Sequence, residues 1–140
     1  MANDVLEKAI KRIPHNIEAE RAIIGCILQD NSVLDEVLAT VNYEMFYDFT
    51  NKAIFASIAE LKNEGVEADR ITVRDQATTT ARVMSERVDK IRKRTSVRDG
   101  ISESTLSDDF FAAILKEAAF STNIMSYCNI VKEKYMLREA

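Results

Sequence analysis

One proline and three glycines in 140 residues leave this chain few places to break a helix. Apolar residues recur at helical spacing nearly throughout, and no stretch alternates apolar and polar in the manner of a half-buried strand. The expectation is an all-α bundle of six or seven helices ending in the first arm of a helical hairpin. With 46% hydrophobic and 30% charged residues, the composition is that of a folded domain and excludes a largely disordered chain.

Starts and stops divide the chain. Asn16 after Pro14 is an N-cap, with Glu18 and Glu20 in the positive first turn. The run Ala22-Ile23-Ile24-Gly25-Cys26-Ile27-Leu28 has no charge, so this helix must be surrounded on all sides, and Gly25 within it permits close approach of a neighbour. Asp30-Asn31-Ser32 opens a second helix with Leu34, Val37, Leu38 and Val41 facing inward. Tyr43 to Phe49 is an aromatic connection. Thr50 or Asn51 starts a third helix with the stripe Ile54, Ile58 and Leu61, and Gly65 is its left-handed cap. Thr72 and Asp75 have capping-box spacing for a fourth helix through Val83, Met84, Val88 and Ile91. Residues 98–108 read as a loop, about 110–119 as a short helix, and Ser121 as the cap of the last one. There Ile124, Tyr127, Cys128, Val131 and Tyr135 form one face. Met125, Ile130, Met136 and Leu137 lie on other sides, interspersed with Lys132, so the helix has more apolar faces than one bundle covers.

The chemistry is limited. His15 is the sole histidine and sits at a helix entrance, where it reads as a capping or packing residue. There is no zinc or calcium spacing and no glycine-rich phosphate loop, so no catalytic, cofactor-binding or metal residue is assigned and the chain by itself is not expected to be an enzyme. Cys26 and Cys128, in apolar helical contexts, read as buried thiols. Net charge is −4, yet Arg82 to Arg98 carries a local excess of five positive charges. Its core, Arg92, Lys93 and Arg94, reads first as a solvated helix C-terminus and second as a weak contact to a partner or DNA phosphate. The N-terminal residues lack the apolar stretch of a signal peptide, and no run is long enough to span a membrane, so a cytoplasmic protein is expected.

The segment from Ile13 to Leu28, with Pro14-x-x-x-Glu18-Ala19-Glu20 and the apolar run around Gly25, resembles the opening of the N-terminal domain of DnaB-type replicative helicases. Phe46-Tyr47, Ile54-Phe55, Gly65, Asp69-x-Ile71-Thr72 and Asn123-Ile124-x-x-Tyr127-x-x-Ile130-Val131-Lys132-Glu133 follow in the family's order, while 77–109 departs from its pattern. The resemblance implies an extension at 1–12, a globular head at 13–120 and the start of a hairpin at 121–140. It also implies a RecA-like ATPase domain further along a longer parent, which would bind ATP and magnesium and engage single-stranded DNA. In the family these N-terminal domains form a collar, a trimer of dimers in a hexamer, on which a DnaG-type primase docks and which a helicase loader meets. Met125, Ile130, Lys132, Met136 and Leu137 are then the candidate interface. Two other readings remain at this point: a free-standing helical DNA-binding protein using Arg82 to Arg98, and a helical adaptor or helicase loader without an ATPase. A phosphate loop downstream in the gene separates the first reading from both.

Overall fold

The computed structural model describes residues 15–92, 105–118 and 123–139, with side chains described for all of these but 87–92. Among them there are six α-helices and no strand: α1 (Ile17–Gln29), α2 (Leu34–Thr40), α3 (Phe49–Asn63), α4 (Arg70–Arg92), α5 (Asp108–Ala118) and α6 (Ile124–Glu139). Two short 3-10 turns, Asn31–Val33 and Tyr43–Met45, lead into α2 and toward α3. The expected all-α bundle is the observed fold.

α1 is the central element. Asn16 caps it by accepting from the Ala19 amide at 2.9 Å, and Ile23, Ile24 and Ile27 are fully buried. Burying each of these side chains contributes about 1.5–3 kcal/mol, which is why the charge-free run ends up enclosed. α1 packs on α3, α5 and α6. Gly25 makes the α5 contact possible: a Cβ there would lie 2.5 Å from the Ala118 Cβ and 2.8 Å from the Ile114 carbonyl oxygen. α3 supplies Ile54, Phe55, Ile58 and Leu61 to the core, with the Phe55 ring stacked on Phe46 at 4.6 Å between centroids. Its partner α4 contributes Val73, Ala77 and Ala81, a stripe repeating every four residues and therefore on one helix face.

Helix ends differ from expectation in three places. Asp48, whose carboxylate accepts from the Asn51 amide, caps α3, so that helix starts at Phe49. α4 starts at Arg70 because its box is Asp69 with Thr72: Asp69 Oδ1 accepts from the Thr72 amide, and the Asp69 amide donates back to the Thr72 hydroxyl, both at 2.9 Å. Asp69 and Thr72 can each cap, and the reciprocal pair satisfies two amides at once. α5 starts at Asp108, with the Ser107 hydroxyl accepting from the Phe110 amide; the preceding Leu106 lies in a turn, within the expected loop, but is fully buried. Residues 93–104, the Ser121 cap and the side chains of Val88 and Ile91 lie outside what is described.

Gly65 closes α3 as expected, at φ +75°, with the Val66 amide donating to the Leu61 carbonyl and the Gly65 amide to that of Lys62. The connection is then pinned to the start of α2. Asn31 donates to the Ala68 carbonyl at 3.0 Å and accepts from the Ala68 amide at 2.9 Å, a two-point grip on the backbone. On the far side, Arg70 and Arg74 both bind Asp108 Oδ1, and Arg74 Nε donates to the Leu106 carbonyl at 2.7 Å, tying the start of α5 to the start of α4.

Candidate interaction surface

α6 lies against α1, α2 and the 3-10 turn at Tyr43–Met45. Cys128 and Val131 are its buried residues, and Ile124, Tyr127 and Tyr135 are half-buried on the same side. Burial pushes the Cys128 thiol up to about 11, with Cys26 and Glu36 adding repulsion, so it stays protonated at neutral pH. Cys26 itself is half-buried rather than buried, and neither cysteine is in a disulfide.

The candidate interface residues divide into two sets. Met136 and Leu137 are 60% and 52% exposed, and Lys132 is exposed beside them. Met125 and Ile130 instead pack half-buried against the core. Ile130 joins Tyr127, Ala19 and Ala22 in lining a groove of about 400 Å³ between α1, α5 and α6, with Glu18 and Glu117 also on its wall. α6 therefore presents a wet apolar pair at its end and a more enclosed groove near its start. Of the basic trio, Arg92 is the last residue of α4, and Lys93 and Arg94 lie outside the described residues. Among the described residues no group of three or more His, Cys, Asp or Glu could hold a metal ion, and no helix is long and apolar enough to cross a membrane.

Beneath the end of α6 lies a polar junction that sequence reasoning missed. Glu20, read from the sequence only as an acid in the positive first turn of α1, is buried to 1% exposure. Its carboxylate accepts from the Tyr47 amide at 2.7 Å, the Asp48 amide at 3.2 Å and the Asn51 side chain at 3.2 Å. Burial raises its pKa above the ordinary carboxylate value, against the lowering effect of these three donors. The Tyr47 ring stacks on His15 at 4.3 Å, so the sole histidine is a packing residue. No local signal marks Glu20, because its donors come from a turn some 27 residues away.

A family model, the DnaB-like helicase N terminal domain, matches residues 12–133. The chain belongs to the DnaB N-terminal domain family. Its relatives include the replicative DNA helicase DnaB of Haemophilus influenzae, 30% identical over 126 residues, which is 90% of this chain and 23% of that protein. That of Treponema pallidum is 36% identical over 69 residues, 49% of this chain and 16% of the relative. The chain thus spans about a quarter or less of these helicases. The fold is similar to the crystal structure of the N-terminal domain of DnaB helicase from Mycobacterium tuberculosis, with a TM-score of 0.65, 20% identity, and coverage of 91% of this chain and 77% of that one. The resemblance read from Pro14, the Glu18-Ala19-Glu20 entrance and the Asp69-x-Ile71-Thr72 turn is borne out. Within the DnaB N-terminal domain fold, the entrance motif has a physical role here: Asn16 caps α1, and Glu20 anchors the turn before α3.

Proposed function

We propose that this chain is the N-terminal collar domain of a hexameric replicative DNA helicase, supporting ring assembly and presenting a docking surface for a DnaG-type primase. On this reading residues 13–120 are the head, 121–140 begin the helical hairpin, 1–12 are an extension, and the RecA-like ATPase belongs to the parent protein. ATP, magnesium and single-stranded DNA are then handled by that ATPase domain, and a helicase loader acts on the assembled ring in the cytoplasm. The observation that carries the reading is the exposed pair Met136 and Leu137 on the last helix of a DnaB N-terminal domain. Exposed methionine adapts to varied partner surfaces, and its burial against a second subunit or a primase removes apolar area from water.

The test uses the full-length protein. Met136→Lys with Leu137→Lys is expected to lower the sedimentation coefficient or abolish primase pull-down while circular dichroism stays unchanged. A hexamer that keeps its assembly and primase binding in that variant overturns the reading. The 140-residue chain alone is expected to show no ATP turnover, and saturable hydrolysis by a clean preparation overturns the domain assignment.

A further inference from the structure

α6 is fastened to the head at two levels. In its middle, Cys128 and Val131 are buried against the bundle. Near its end, Arg138 Nη2 donates to the Met45 carbonyl at 2.7 Å. The same guanidinium lies 5.4 Å from the centroid of the Tyr47 ring and 5.8 Å from that of Tyr135. Its receptor is stiff. Tyr47 is stacked on His15 with planes 13° apart and held through its amide by Glu20, while Met45 closes the 3-10 turn. Arg138 therefore grips a turn that two other helix starts already hold.

We propose that Arg138 is a positioning residue, a latch that fixes the last turn of α6 on the Met45–Tyr47 turn and so sets the direction in which the outer face of α6 points. Successive residues on a helix turn by about 100°, which puts Val131, Tyr135 and Arg138 in one arc toward the head. By the same rotation Met136 lies about 160° from Arg138, and Lys132 about 120°. Holding Arg138 inward aims Met136 outward. Val131 and Arg138 are separated by about 10 Å of helix axis, a length over which the half-buried Tyr135 is the one other residue in the arc facing the head. Packing from Ile124 to Val131 fixes the first part of α6, and the Arg138 grip carries that direction through its last two turns. What the outer face meets rests on the collar reading above, but the latch itself does not, because it is read on the 140-residue chain without assembly.

The test combines amide hydrogen exchange with residual dipolar couplings on that chain. In Arg138→Gln, exchange at residues 134–139 is expected to rise about tenfold or more, while the amides of Ile23 and Ile27 keep their protection. The dipolar couplings of residues 134–139, which fit one orientation relative to α3 in the unsubstituted chain, are expected to shrink toward an average over several. Tyr47→Leu should reproduce both effects, Tyr47→Phe neither, and Arg138→Lys should restore part of the protection through its remaining donor and charge. Tyr47→Leu with Arg138→Gln should be no worse than either alone, since both cut the same fastening. Unchanged couplings in Arg138→Gln, or a loss of protection shared equally by α1, overturns the proposal. Additive effects in the double variant overturn it as well.

Discussion

Replacing Gly25 with alanine tests the close approach on which the bundle is built. The new Cβ would sit 2.5 Å from the Ala118 Cβ, 2.8 Å from the Ile114 carbonyl oxygen and 3.1 Å from Ile114 Cγ2. Carbon atoms are content at about 3.5–4.0 Å, so α1 and α5 would have to part by about 1 Å. The oxygen belongs to the backbone of α5 and has no rotamer to escape into, so the strain cannot be relieved by a side chain alone. Overpacking of this kind costs about 1–3 kcal/mol. Against it stands the gain of about 1 kcal/mol from removing glycine from a helix interior. With a backbone atom in the clash the upper part of the range applies, and the net loss is expected to be about 1–2 kcal/mol. For a domain near this size that is a fall of roughly 3–8 °C in Tm. Urea titration and thermal melting followed by far-ultraviolet circular dichroism read both numbers. Repeating the substitution in an Ala118→Gly background removes the shortest contact but not the carbonyl, and should recover about 1 kcal/mol of the loss. If Gly25→Ala instead stabilises the protein by the full propensity gain, α1 and α5 are not in contact at this point and the packing argument fails.

Glu20→Ala leaves the Tyr47 and Asp48 amides and the Asn51 carboxamide without their acceptor and should cost about 3–5 kcal/mol by chemical denaturation. Because burial raises the Glu20 pKa, the folded state holds its proton more tightly than the unfolded one. Its contribution is therefore full below the ordinary value of 4.5 and is lost as pH rises through the raised value; Glu20→Gln should flatten the stability–pH curve in that window. Met136→Lys should change stability by less than about 0.5 kcal/mol, whereas Met125→Lys, which drives a charge into a half-buried contact with the core, should lower Tm measurably. Replacing Arg92, Lys93 and Arg94 with glutamine should leave weak DNA binding nearly unchanged at physiological salt; a large loss with a shallower salt dependence would point to phosphate contacts there.

What the sequence disclosed was governed by neighbours along the chain. Asn16, the uncharged run after it, and the cap at Gly65 are local signals, since a cap or a helical stripe is decided within a few residues. The α4 start was misplaced for a related reason: Asp69, Thr72 and Asp75 are all capping types at the same spacing, and only the reciprocal bonds pick out the first pair. Ser107 and Asp108 read as loop because serine and aspartate are enriched both in loops and at helix starts. The burial of Glu20 and Leu106 and the reach of Arg138 left no trace, because the groups that meet them are far away in sequence: the Tyr47 amide, the core, and the Met45 carbonyl. The candidate face on α6 was half legible. Periodicity separated Met136 and Leu137 from the core stripe, but Met125 and Ile130 needed the neighbouring helices to show that they are partly covered.

The ion-paired junction of Arg70 and Arg74 with Asp108 bears on which parts of the bundle move together. Because Asp108 accepts from both guanidinium groups and Arg74 also donates to the Leu106 carbonyl, the start of α5 is registered against the first turn of α4, while its other end is seated on Gly25 of α1. The junction joins positions 34 and 38 residues apart in the sequence, yet one carboxylate oxygen carries both ion pairs. Asp108 therefore couples the two helices as a common pin, so a load on α5 is passed to the start of α4 and not only to α1.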